Sequence, residues 1–201
     1  MIVGAVIAAA GKSSRMGAFK PLLDIGGLPA ARRIIQSFRT AGVMDIVLVT
    51  GCRAGELEDS LRDLDITCLR NDLYEYNEMF ESVKIGLEYA KDKFGKIFIT
   101  PVDAPLFLPE TVSALIDSDA GITIPLYQGK TGHPVIMKGD TAGDILSYNG
   151  AGGLRGAIAK LSPARVSRIE VSDSGILYDM DTPDDYAAIV SMQAAGRGNP
   201  K

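Results

Sequence analysis

Tryptophan is absent from the chain, aromatic residues make up only 6% of it, and histidine occurs once. So few rings exclude a base-stacking platform for single-stranded nucleic acid. A net charge of −4 without a basic stripe excludes nucleic acid as a partner more generally. No apolar run is long enough to span a membrane. The N-terminus has neither a charged leader nor a small-residue cleavage site, so no signal peptide is expected. The two cysteines, Cys52 and Cys68, match no metal spacing and no disulfide framework, which suits a reducing cytoplasm. Repeats, low-complexity tracts and linkers are also missing, so residues 1–195 are expected to form one domain, with a polar tail over 196–201.

One local absence points to function. Between Met1 and Leu23 there is no carboxylate, in a chain that is acidic overall. The apolar run Ile2 to Ala10 has the length of a strand buried on both faces. It breaks at Gly11 into a loop carrying Lys12, Ser13, Ser14, Arg15, Gly17 and Lys20. A glycine-containing loop after a buried strand, with backbone N–H groups and unopposed cations, is a means of holding a polyphosphate. It is not a P-loop: Gly11-Lys12-Ser13 supplies the end of G-x-x-x-x-G-K-[ST], but the first glycine would have to be Val6. The dinucleotide fingerprint G-x-G-x-x-G fails as well.

The rest of the chain alternates strands and helices. A short strand and turn is expected over 21–27 and a helix over 29–40, then a buried strand at 45–50. A short acidic helix within 51–64 and a strand at 66–69 follow. A loop leads into a helix from about Glu78 to Ala90, with Val83, Ile85, Leu87 and Ala90 on its packed side. A fourth strand covers 96–101, a helix 109–116 and a strand 121–125. Residues 127–138 read as a hairpin, 139–160 as helix interrupted by glycine, 166–171 and 175–178 as strands, and a last helix starts near Thr182. This order implies a three-layer, doubly wound, mainly parallel α/β sheet of Rossmann-like type. Ligands bind at the carboxyl ends of such strands, so the loop after the first strand and Asp103 after the fourth should share an edge.

Asp103 stands between two prolines in Thr100-Pro101-Val102-Asp103-Ala104-Pro105. A rigid turn fixing one carboxylate opposite a phosphate loop suits a Mg²⁺ ligand, since magnesium is usually held by one or two carboxylates plus substrate phosphates. Asp179-Met180-Asp181-Thr182-Pro183 is a second acidic site. In an extended segment Asp179 and Asp181 point to one face, while Thr182, Pro183, Asp184 and Asp185 equally spell a helix start to which Asp181 could belong. A polyphosphate loop, a lysine and one or two metal carboxylates suggest transfer at a nucleotide phosphate, where positioning and charge neutralisation do most of the work. A phosphate monoester acceptor, with a second pKa near ~6, is already largely anionic at neutral pH and needs no general base.

Ala9-Ala10-Gly11-Lys12-Ser13-Ser14-Arg15-Met16-Gly17-Ala18-Phe19-Lys20 resembles the A-A-G-x-S-x-R-M-G-x-x-K signature of the MobA-like nucleotidyltransferases. Gly132-His133-Pro134-Val135 and Asp179-Met180-Asp181-Thr182-Pro183-Asp184-Asp185 resemble that family's G-H-P-V and D-x-D-T-P-x-D elements, and Asp103 matches its single aspartate after the central strand. The resemblance implies a Mg²⁺-dependent enzyme. The most similar branch transfers CMP from CTP to the phosphate of a molybdopterin-type acceptor and releases pyrophosphate, in some cases serving a molybdoenzyme or its chaperone. By the same resemblance Ala9, Ala10, Gly11, Lys12, Ser13, Met79 and Ser82 would line the nucleotide, and Arg15 and Lys20 would clamp the triphosphate. Asp103 would hold the metal with Asp181 as second ligand, and Lys20, Arg15 and Asp103 would carry catalysis. His133 and Arg155 would meet the acceptor. Ala-Ala-Gly is the CTP-using form of the motif, where GTP-using members show Ala-Gly-Gly.

The chain departs from the pattern at Glu78-Met79-Phe80-Glu81-Ser82-Val83, where that branch often reads Gly-Met-Ser-Ser-Ser-Leu, and Gly150–Gly156 follows the family's glycine-arginine loop only loosely. The alternatives are a GTP-using relative, a sugar- or polyol-phosphate transferase and a non-catalytic cofactor-delivery protein. Sugar-phosphate members place threonine before the arginine, whereas Ser14 precedes Arg15 here.

Overall fold

A computed structural model describes residues 1–76 and 78–196; of the expected tail, 197–201 lie outside the described residues. The eight-stranded sheet contains β1 (Val3–Ala9), β2 (Asp45–Thr50), β3 (Thr67–Arg70), β4 (Lys96–Pro101), β5 (Ile122–Tyr127), β6 (Lys130–Thr131), β7 (Val135–Lys138) and β8 (Val166–Glu170), in the order β3-β2-β1-β4-β7-β5-β6, with β8 on β5. The first four strands run parallel, and β7 lies antiparallel between β4 and β5. The helices are α1 (Ala30–Thr40), α2 (Ala54–Ser60), α3 (Met79–Ala90), α4 (Pro109–Ile116), α5 (Gly139–Leu146), α6 (Gly153–Lys160) and α7 (Pro183–Gly196).

The alternation of β1 divides the core. Ala5, Ile7 and Ala9 face one side, where they pack with Ile34, Ile35 and Phe38 of α1, Leu57 of α2 and Val112 and Leu115 of α4. Val6 and Ala8 face the other, against Val83, Leu87 and Ala90 of α3, Ile145 of α5 and Ala157 of α6. The three layers follow from that period of two. Helix α3 rides close to the sheet at Gly86, where a Cβ would collide with Val6. This close approach sets the N-terminal turn of α3 above the loop that follows β1. Ile85, expected on the packed side, is only partly buried, at the margin of that cluster.

Two expected strands take other forms. Residues 21–27 contain a 3-10 turn, Lys20–Leu22, and an isolated bridge between Asp24 and Pro29. Pro21 has no N–H to give to a ladder. Of residues 175–178, the first three belong instead to a 3-10 turn, Ser174–Leu177, with Tyr178 extended after it, because the Asp173 carboxylate takes the Gly175 N–H at 2.8 Å and curls the chain. The same carboxylate accepts from Leu108 N and Thr111 Oγ1, both at 2.7 Å, and so fastens this turn to the start of α4.

The expected hairpin also carries an irregularity that shapes the site. Leu126 pairs with Thr131, yet Thr123 pairs with Ile136. The strand opposite β5 is therefore longer than β5 itself, and the surplus loops out at Gly132-His133-Pro134. Gly132 N–H bonds to Pro125 O, while His133 N–H leaves the ladder for Ile176 O at 3.0 Å. A Cβ on Gly132 would collide with that same Ile176 carbonyl, so glycine is what lets the two segments touch.

Candidate active site

The loop after β1 opens at the carboxyl edge of the sheet. Its start is tied down on one side by Cys52 N–H donating to Ala10 O (3.1 Å), and Val102 N–H fixes the turn after β4 against Ala8 O (3.0 Å). Ser13 adopts a left-handed backbone (φ 55°), and its hydroxyl accepts the Lys20 N–H at 3.2 Å. The loop thus folds back on itself, and the 3-10 turn at Lys20–Leu22 directs the Lys20 side chain inward.

There Lys20 Nζ lies 3.1 Å from Asp103 Oδ2 and 2.8 Å from Asp181 Oδ1. Lys20 is almost fully buried. Burial works against its charge, but the hydrogen bonds and charges of Asp181 and Asp103 outweigh it and hold the ammonium pKa above the ordinary lysine value. Arg15, largely exposed, reaches Asp181 Oδ1 at 3.2 Å. The two acidic loops are locked to each other by Met180 N–H donating to Asp103 O at 2.8 Å. Asp181 does not cap α7. That cap is a reciprocal pair in which Asp185 Oδ2 accepts the Thr182 N–H and Thr182 Oγ1 accepts the Asp185 N–H.

Asp179 stands beside them. Desolvation by the surrounding protein, together with the negative Asp103 and Asp181, pushes its pKa up to about 6. His133 Nδ1 is enclosed and has no hydrogen-bond partner among the described residues, and burial pushes this imidazole's pKa down despite the nearby Asp103. A histidine held neutral in this way is available as a hydrogen-bonding group facing the cavity.

Three adjoining cavities meet at Met79 and Pro101. A narrow slot of about 120 Å³ is lined by Ala10, Gly11, Ser13, Asn71, Tyr74 and Ser82. At its floor Asn71 Nδ2 donates to Ser82 Oγ at 3.0 Å, and Asn71 Oδ1 accepts the Leu73 N–H. A second cavity of about 330 Å³ holds Ser13, Ser14, Arg15, Lys20, Asp103, His133, Asp179 and Asp181. The third is a broad cleft of about 1150 Å³ running past His133, Leu154, Arg155 and Arg168.

Most of the residues expected at the site converge here. Lys20, Asp103 and Asp181 are in direct contact, Ala10, Gly11, Ser13, Met79 and Ser82 border the slot, and His133 and Arg155 border the cleft. Ala9 points away, into the core beneath α1, and only its backbone is near the edge. Lys12 turns outward to Glu75 at 3.4 Å. Sequence reasoning missed Asn71, Tyr74 and Arg168. Asn71 follows the carboxyl end of β3, a position that could have flagged it. Arg168 alternates with Val166 on β8, but nothing in the sequence says which face of that strand meets the cleft.

Among the described residues no group of three or more histidine, cysteine, aspartate or glutamate side chains forms a metal site. Asp103 and Asp181 offer two hard oxygen donors, and an ion held there would need its remaining ligands from substrate. Nor is any described helix long and apolar enough to cross a membrane.

Residues 5–166 match the MobA-like NTP transferase domain. The chain is 27% identical over 190 residues to the molybdenum cofactor cytidylyltransferase of Escherichia coli K12, covering 92% of this chain and 93% of that one. It is 32% identical over 119 residues to the bifunctional protein GlmU of Acetivibrio thermocellus, covering 56% of this chain but only 24% of that much longer protein. Among solved structures, a nucleotidyl transferase from Methanothermobacter superimposes with a TM-score of 0.86 at 25% identity, covering 98% of this chain and 99% of that one. The chain belongs to the MobA-like NTP transferase family.

Proposed function

We propose, from this membership of a nucleotidyltransferase family, that the protein transfers CMP from CTP to the phosphate of a molybdopterin-type acceptor and releases pyrophosphate. The observation that carries the reading is the Lys20–Asp103–Asp181 cluster, placed where a narrow slot and a broad cleft join. The slot, with the Ala10 methyl on its wall, suits a one-ring base better than a two-ring base. The cleft is of the size that encloses an organic ligand. The resemblance over nearly the whole chain to a molybdenum cofactor cytidylyltransferase supports the choice of base and acceptor.

In this reading a phosphate oxygen of the acceptor attacks the α-phosphorus of CTP, the bond from that phosphorus to the bridging oxygen breaks, and pyrophosphate leaves. The acceptor monoester is already anionic at neutral pH, so no residue has to remove a proton. Accordingly His133 is assigned no part as a base. Lys20 and Arg15 bind the phosphate chain and offset its charge, and the Ser13 turn presents backbone N–H groups to it. Asp103 and Asp181 would hold a Mg²⁺ ion, which when bound supplies charge neutralisation between the phosphates.

Pyrophosphate release from CTP, GTP, ATP and UTP with Mg²⁺, with and without molybdopterin, tests the reading. Release from CTP alone, and only with molybdopterin present, is expected. Silence with all four nucleotides, or equal release from GTP, would overturn it.

A further inference from the structure

Building on the acceptor assignment above, we propose that Arg168 and Arg155 form a second anion-binding site in the broad cleft. It receives a negative group of the acceptor other than the phosphate under transfer. Both side chains border the cleft, and neither borders the cavity of Lys20, Asp103 and Asp181. They come from different elements, Arg155 from the first turn of α6 and Arg168 from β8. Strand alternation puts Val166 and Arg168 on the cleft face and sends Ile169 to the opposite core.

Exposure alone would make these ordinary surface arginines. What separates them is their lack of partners. Every other described arginine hydrogen-bonds through its guanidinium, to a carboxylate, an amide or a backbone carbonyl. Arg155 and Arg168 make no such bond among the described residues, and both border one cavity whose lining also includes the apolar Leu154, Ile158 and Leu161. The carboxylates of the cleft are at its other side: Glu78 also borders the narrow slot, and Asp179 also borders the phosphate cavity. The cleft is therefore polarised, with anions toward the nucleotide and unpaired planar cations away from it. A guanidinium fork suits a carboxylate, sulfonate or phosphate. The ligand class is an organic phosphate monoester with a sizeable apolar or flat body and a second anionic group.

Binding of 8-anilinonaphthalene-1-sulfonate, an apolar body bearing one anion, tests the site without any turnover. Arg168→Ala and Arg155→Ala should each weaken its binding about tenfold, the scale of one charged hydrogen bond. Uncharged N-phenyl-1-naphthylamine should bind all variants alike. Arg165→Ala, which removes a guanidinium paired with Asp144 outside the cleft, should leave both probes unaffected. Calorimetric CTP binding reports that each variant is folded. Unchanged sulfonate binding in both arginine variants would overturn the proposal. With molybdopterin as acceptor, Arg168→Ala should raise its KM about tenfold and leave the KM for CTP in place, and an unmoved acceptor KM would equally overturn it. Absence of any wild-type turnover would end the acceptor assignment alone, and the probe comparison would still decide the arginine pair.

Discussion

On the nucleotide side of the site, the Gly11–Lys20 loop follows β1 directly, and β1 is flanked on both sides by parallel strands. The slot there is small, and its lining comes from the ends of neighbouring strands and the first turns of α3. On the side proposed for the acceptor, the cleft wall is assembled from the Gly132-His133-Pro134 loop, a 3-10 turn, α6 and β8, segments distant from one another in the chain. In the proposed function the first half would handle the nucleotide's phosphates and the second the acceptor. The first half is local and repeats the logic of the sheet. The second depends on how far a strand slips and where a turn docks.

The sharpest break in this comparison should come at the junction of the halves. Asp103→Ala should lower kcat by more than about 10³ with the fold retained, since both the proposed metal donor and a partner of Lys20 disappear. Lys20→Ala should lower it by roughly 10²–10³. Steady-state rates together with thermal melting check both, and near wild-type rates would place these residues outside the chemistry. On the acceptor side, Gly132→Ala forces a methyl against the Ile176 carbonyl. It should cost about 1–3 kcal/mol of stability and raise the acceptor KM about tenfold, with CTP affinity in calorimetry little changed. Parallel loss of CTP binding would mean that the halves are not separable in this way.

Smaller effects sharpen the nucleotide side. Ala10→Gly removes a methyl from the slot wall and should shift the GTP-to-CTP ratio of kcat/KM several-fold toward GTP, within the roughly tenfold that one methylene can discriminate. The smallest expected effect is electrostatic. Asp179 has its pKa raised from 3.8 to about 6 in the folded protein, so the fold binds that proton more tightly than the unfolded chain does. Metal-free protein should therefore lose stability as pH rises from about 4 to about 6, by less than about 1 kcal/mol, because Asp179, although flanked by protein and by the Asp103 and Asp181 charges, keeps part of its side chain in water. Melting of Asp179→Asn across that range should be flatter than wild type, and an identical slope would contradict the assignment.

Much of the fold was legible in the order of the elements along the chain. The apolar run of β1, the cations after it and the prolines around Asp103 mark their place through immediate neighbours, and parallel pairing of β1 with β4 brings Lys20 and Asp103 together at one edge. Asp181 was ambiguous because its neighbours also spell a helix cap. The structure gives that cap to Thr182 and Asp185 and sends Asp181 to Lys20. The turns at Lys20–Leu22 and Ser174–Leu177 stand where strands were expected, although each carries its breaker close at hand: Pro21 has no N–H for a ladder, and Asp173 takes the N–H of Gly175 two residues on. Asn71 was legible only as a residue after the carboxyl end of β3, and its bond to Ser82 of α3 was not, while the place of Arg168 depends on a cleft built across the sheet.

The most direct measurement follows the label from α-³²P-CTP incubated with protein, Mg²⁺ and molybdopterin, with the products separated and weighed by mass spectrometry. The account predicts that the label moves to molybdopterin as a covalently attached CMP, with one pyrophosphate released for each transfer. Label recovered as free CMP, or left in CTP while molybdopterin is present, would contradict it.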